Sequence, residues 1–138
     1  MDKDLTQYFF VALPHFLGYF AVAALLAVGY LTAYVKITPH REFELIRAGN
    51  GAAATQLVGS FLGFSIPLAI VIGHSVSILD LVLWGVVVLI TQLAVFLVIA
   101  RLFRGIEKRI EDNCQASGVF IGGLALGVGI LQAACMVP

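Results

Sequence analysis

Four stretches of this chain, Phe9–Val35, Gly51–Gly73, Ile78–Ala100 and Gln115–Val137, each continue for more than 20 residues with Asp80 as their single charged side chain. An apolar run of ~20 residues crosses the ~30 Å hydrocarbon core of a bilayer as one α-helix. A transmembrane barrel strand would be ~10 residues long and would alternate polar with apolar, which these runs do not. In lipid every backbone N–H and C=O needs an internal partner, so the expected fold is all-α, an integral membrane protein with four transmembrane helices. Of 138 residues, 61% are apolar and 12% charged, which leaves no room for a soluble domain beside the four spans. Ordinary soluble domains carry ~25% charged residues. The first run is expected to be retained, not cleaved. Its flank Met1-Asp2-Lys3-Asp4 is acidic, and it exceeds the ~7–15 apolar residues of a signal peptide.

Basic residues set the expected orientation. Lys36, Arg41 and Arg47 lie between the first two runs and Arg101, Arg104, Lys108 and Arg109 between the last two, leaving only Lys3 elsewhere. The positive-inside rule places both basic connections in the cytoplasm, hence both termini and the short His74–Asp80 link outside. Lys+Arg and Asp+Glu balance at 8 each, so no net charge recruits nucleic acid, and none is expected as a partner.

At a spacing of 63 residues Arg41 pairs with Arg104, Glu44 with Glu107, Asn50 with Asn113 and Gly59 with Gly122, giving a shared Arg-x-x-Glu-x5-Asn motif ahead of a small-residue helix. Two hairpin units, 1–73 and 74–138, are therefore expected. Because both enter with the same orientation, they form a parallel repeat about an axis along the membrane normal, unlike the inverted repeats of many transporters. These tandem copies, with Glu44–Gly63 reading ELIRAGNGAAATQLVGSFLG, resemble the YjfL-type bacterial inner-membrane proteins, which are classed under a domain of unknown function. The resemblance covers nearly the whole chain. It implies a bacterial inner-membrane location and an association with envelope-stress and polyamine-peptide ligase genes, and it carries over no catalytic residue, ligand or cofactor.

Small residues four apart let helices approach closely in lipid, where apolar burial gives no driving force of its own. Gly59 and Gly63 on the second helix, with Gly118, Gly122, Gly123 and Gly127 on the fourth, make these two the expected inner pair. Phe96, Leu97, Trp84 and the run Val86–Val88 suit the third helix to lipid. Trp84 and Tyr8 are expected at the outer interface, and Tyr30 and Tyr34 at the inner one. Beyond the third helix, Phe103, Ile106 and Ile110 recur at helical spacing, so an amphipathic cytoplasmic extension is expected. After the first helix, Thr38 as N-cap, Pro39 at the first helical position and Phe43 with Ile46 suggest a second short amphipathic segment. Both segments are candidate docking surfaces for a cytoplasmic protein.

The polar side chains inside the runs are few. Gln92, with Thr91 beside it, either lines a conduit or clamps helices together, and the clamp is the favoured role. Gln56, with Thr55 and Ser60, forms a second cluster. No continuous polar track follows within one chain, so a conduit would need several copies. No Asp, Glu or His lies at membrane depth, where proton and cation carriers hold one. His15, His74 and Asp80 gather instead near the outer mouth, without a recognised metal-ligand spacing. Cys114 and Cys135 lie roughly 31 Å apart along one helix and cannot pair within the chain. The rims offer too few groups for a nucleophile, base and orienter, there is no phosphate loop, and no cofactor is called for. The expected function is a non-catalytic homo-oligomeric module, channel-like or scaffolding, linked to envelope stress. The alternative is a small secondary transporter for a cationic or polyamine-like solute, with Asp80 and His74 at its mouth.

Overall fold

The computed structural model describes residues 2–39 and 41–136. Six helices follow in order: α1 Asp2–Ile37, α2 Glu42–Arg47, α3 Gly51–His74, α4 Ile78–Leu102, α5 Ile106–Glu111 and α6 Gln115–Cys135. Among the described residues there is no strand, and α1, α3, α4 and α6 are each long and apolar enough to cross a membrane. The end of the fourth apolar run, Val137, lies outside the described residues.

The helix starts follow from local chemistry. Asn50 caps α3, its side chain accepting from Ala53 N at 3.0 Å, and Ser77 caps α4, accepting from Asp80 N at 3.1 Å. Helix α1 begins at Asp2, not near Phe9, because the acidic first turn Asp2 and Asp4 complements the positive end of the helix. At ~1.5 Å per residue it is roughly 54 Å long, more than a ~30 Å hydrocarbon core requires.

Helices α3 and α6 form the closest pair and run parallel, Ala52 meeting Gly118, Gly59 meeting Gly122 and Gly63 meeting Ala125. Helix α4 packs against both, and α1 rests on α4 and α3. The α1–α4 pair is also parallel, with Leu26 against Gly85 and Leu89 near Gly29. Helix α4 buries a stripe of Leu81, Gly85, Val88, Gln92, Phe96 and Ile99. This corrects the lipid-facing expectation for Phe96 and Val88, while Trp84, Val86, Val87 and Leu97 do face outward. A helix apolar on every side carries no sequence signal for which side is inward.

Two connections also depart from expectation. Thr38 does not cap α2. Its hydroxyl donates back to Tyr34 O and Val35 O at 3.1 Å, finishing α1, and Arg41 holds the N-cap position of α2. The amphipathic extension of α4 is broken: Gly105 takes φ 84°, a left-handed conformation open to glycine, and α5 starts afresh after it. Phe103 turns to meet Phe120 of α6 edge-on at 4.9 Å, and Ile110 is fully buried.

Candidate functional site

Three buried polar side chains lie at or beside the α3–α6 seam: Gln56 of α3, Gln92 of α4 and Ser117 of α6. The seam's geometry comes from two complementary stripes, Ala52, Gln56, Gly59 and Gly63 on α3 and Gly118, Gly122, Ala125 and Gly129 on α6, spaced four, three and four residues apart. That alternation keeps one face of a helix on a neighbour. A Cβ added at Gly59 would sit 2.5 Å from the main chain of Gly122, and one at Gly122 would sit 2.7 Å from Thr55 O. Gly118, Gly63 and Gly129 are equally closed, against Ala52, Ala125 and Gly63. Gly123 and Gly127 are not part of the seam, since nothing lies within 4 Å of a Cβ placed there. One residue is 100° around an α-helix, so the Gly123-x-x-x-Gly127 pair looks away from the face that Gly118-x-x-x-Gly122 presents.

Gln92 locks this seam from α4. Fully buried, it donates from Nε2 to Ala125 O at 2.8 Å, beside Gly63, whose missing side chain gives the amide its space. Gln56 is buried beside the seam; its Oε1 and that of Gln92 lack a hydrogen-bond partner among the described residues. Thr91 stands apart. It is exposed, and its hydroxyl is spent on Val87 O of its own helix at 2.7 Å.

At the end bearing the basic connections, Asn50 and Asn113 tie the two halves together. Asn50 Nδ2 donates to Ile110 O at 2.8 Å and Glu111 O at 3.2 Å, and Asn113 Oδ1 accepts from Ala52 N at 3.2 Å. Gln115 Nε2 adds a bond to Thr55 Oγ1 at 2.8 Å. The two copies of the motif differ in local geometry. Helices α5 and α6 start 64 residues after α2 and α3, one more than the motif spacing. Asn50 therefore caps α3, whereas Asn113 precedes the cap of α6 with φ 59°. Arg41 pairs with Glu44 at 3.2 Å on the surface, and Arg104 falls in the turn before α5, with Glu107 in its first turn.

A cluster not anticipated from sequence lies under this belt. Tyr30 and Tyr34 are fully buried inside the bundle, away from its outer surface: Tyr30 stacks on Phe64 at 4.4 Å and donates to Ser60 O at 3.2 Å, and Tyr34 meets Phe96 edge-on at 4.8 Å. Glu42 is also fully buried, next to Tyr34. Its signal was its register. Glu42 shares the inward face of α2 with Leu45 and Ile46, while Phe43, expected to pair with Ile46, is exposed. At the head of α6, Ser117 Oγ donates to Cys114 Sγ at 3.4 Å and lowers that thiol below its usual range, with help from the Ser117 and Ala116 backbone and from Arg109.

At the opposite end His74 and Asp80 line one cavity of about 480 Å³ with Trp84, Cys135 and Met136. His15 is not there; it lies on α1 against Tyr19, ring centroids 4.4 Å apart. Among the described residues no three His, Cys, Asp or Glu converge to hold a metal.

Known proteins were compared with this chain. It is 38% identical to the UPF0719 inner membrane protein YjfL of Escherichia coli K12 over 121 residues, 88% of this chain and 92% of that protein. It is 31% identical to the UPF0719 transmembrane protein YshE of Bacillus subtilis over 124 residues, 85% and 89% of the two chains. No solved structure matches it. These relatives and the four apolar helices mark a multi-pass protein of the bacterial inner membrane, and neither relative is named for an enzymatic role. Residues 8–136 match the Domain of Unknown Function DUF350, and the chain belongs to that family.

Proposed function

We propose that this chain is a non-catalytic membrane module that acts as a scaffold, working as a homo-oligomer, and not a conduit through a single copy. The observation that carries this reading is the Gln92 bond to Ala125 O across a seam with no room for a Cβ. The polar group best placed to line a passage is committed to holding α4 on α6. The outward Gly123 and Gly127 leave a small-residue face on α6 suited to close approach by another copy. In this reading both basic connections face the cytoplasm, and the exposed charges of α2 and α5 are where a cytoplasmic protein docks. The envelope-stress setting implied by the resemblance belongs to the same reading.

Ion flux and unfolding measured in liposomes on the parent and on Gln92→Leu test it. The expected result is no flux from either protein, with the variant less stable by about 0.6–2 kcal/mol, the range of an interhelix hydrogen bond in lipid. Flux by the parent that Gln92→Leu abolishes would replace the scaffold with a channel. Native mass spectrometry of the parent from nanodiscs reads the copy number, and a strict monomer would remove the oligomer.

A further inference from the structure

The cavity between the end of α3, the start of α4 and the end of α6 presents a carboxylate, an indole face and open volume together. Its lining includes Asp80, His74, Ser75, Trp84, Cys135 and Met136, above an apolar floor of Ile70 and Val71. The hydrogen-bonding state of each polar group is set by its neighbours. His74 Nδ1 lies 2.9 Å from Ile70 O, and a carbonyl can only accept, so in the neutral ring Nδ1 carries the proton and Nε2 keeps a lone pair. The Ser75 hydroxyl donates to Val71 O, leaving its oxygen to accept. Asp80 Oδ2 takes the Val76 N–H at 3.2 Å, which leaves acceptor capacity on the carboxylate. Apart from the indole N–H of Trp84 and the weak Cys135 thiol donor, the wall is made of acceptors, with one negative charge and no Lys or Arg.

A ligand matched to such a wall is cationic and rich in donors. An aromatic face attracts a cation within ~6 Å of its centroid, and Trp is the strongest such face. The volume sits in the ~300–1,000 Å³ range of organic ligand sites and is far larger than a bare ion needs. We propose that this cavity binds an alkylammonium group, with Asp80 as counter-charge, His74 Nε2 as acceptor and Trp84 as the ring that covers it. The ammonium belongs either to a soluble amine or to the headgroup of an aminophospholipid, since indole side chains favour the interfacial depth at which headgroups lie.

Trp84 is the single tryptophan of the chain and lines this cavity, so its fluorescence responds to occupancy there. The full chain in phosphatidylglycerol vesicles is titrated with butylammonium chloride against sodium chloride at equal ionic strength, and compared with vesicles containing phosphatidylethanolamine. A saturable Trp84 change with butylammonium, on the order of tenfold weaker in Asp80→Asn, supports a soluble amine. A change produced only by phosphatidylethanolamine, and lost in the same variant, supports the lipid headgroup. No change in either arm, an identical response from Asp80→Asn, or a response to zinc chloride in place of amines overturns the proposal. Asp80 also braces the turn before α4. If Asp80→Asn does not assemble, calorimetry with butylammonium on Trp84→Leu decides: lost binding heat supports the site, and retained heat overturns it.

Discussion

At the scale of single residues, polar groups in this chain act through a designated neighbour. Tyr30 holds Ser60 O, Gln92 holds Ala125 O, and Cys114 receives the Ser117 hydroxyl. The last of these has a measurable consequence. Hydrogen bonds to sulfur favour the thiolate, and the thiolate is the nucleophile. With the Cys114 thiol lowered, its alkylation by iodoacetamide is expected to reach half-maximal rate at a lower pH than an unperturbed cysteine. Ser117→Ala should move that midpoint upward. Rate profiles from pH 6 to 10, with Cys114 followed by peptide mass spectrometry, read both; a midpoint unmoved by Ser117→Ala would assign the shift elsewhere. Asn50 is the residue whose loss should be felt furthest. It caps α3 and reaches Ile110 O and Glu111 O, so Asn50→Ala gives up one cap and two cross-links between the halves. A cap alone is worth ~1 kcal/mol. Unfolding in nanodiscs should show at least that loss, about 1–2 kcal/mol in total.

At the scale of elements, legibility in the sequence followed locality. The four spans were readable because bilayer thickness sets their length, and α3 and α4 start where Asn50 and Ser77 offer side-chain caps. The break at Gly105 is also local: the glycine itself weakens a continuous helix, but the helical spacing of Phe103, Ile106 and Ile110 outweighs that signal, since α5 resumes the same periodicity one turn later. Gly105→Ala would place a Cβ in the left-handed region at a cost of roughly 1–2 kcal/mol, and it should lower the melting temperature while leaving the four spans intact. A circular dichroism melt checks it; a gain in stability would mean that a continuous α4–α5 helix is accessible. What stayed hidden was decided by tertiary contact. Nothing in the sequence of α4 distinguishes Phe96 from Leu97, yet one is core and the other faces out. Glu42 shares a helix face with Leu45 and Ile46, which sets it apart from Glu44, but that this face docks on the bundle and buries a carboxylate is decided by tertiary contact.

At the scale of the whole molecule, the bundle is organised around the parallel α3–α6 pair, which meets backbone to backbone. Lipid supplies no hydrophobic drive between helices, so van der Waals contact along this seam, with the Gln92 and Asn50 bonds at its side and end, holds the halves together. Adjacent, chemically identical residues are therefore unequal. Gly122 is shut against Thr55 O and Gly59, and Gly123 faces open space. The decisive measurement is the unfolding free energy of Gly122→Leu and Gly123→Leu in nanodiscs that each hold a single copy, so that contact between copies does not enter the comparison. Gly122→Leu is predicted to lose about 3 kcal/mol or more or to fail to assemble, as expected where backbone must move, while Gly123→Leu stays within about 0.5 kcal/mol of the parent. Equal losses at the two positions, or the greater loss at Gly123, would contradict a bundle built on this seam.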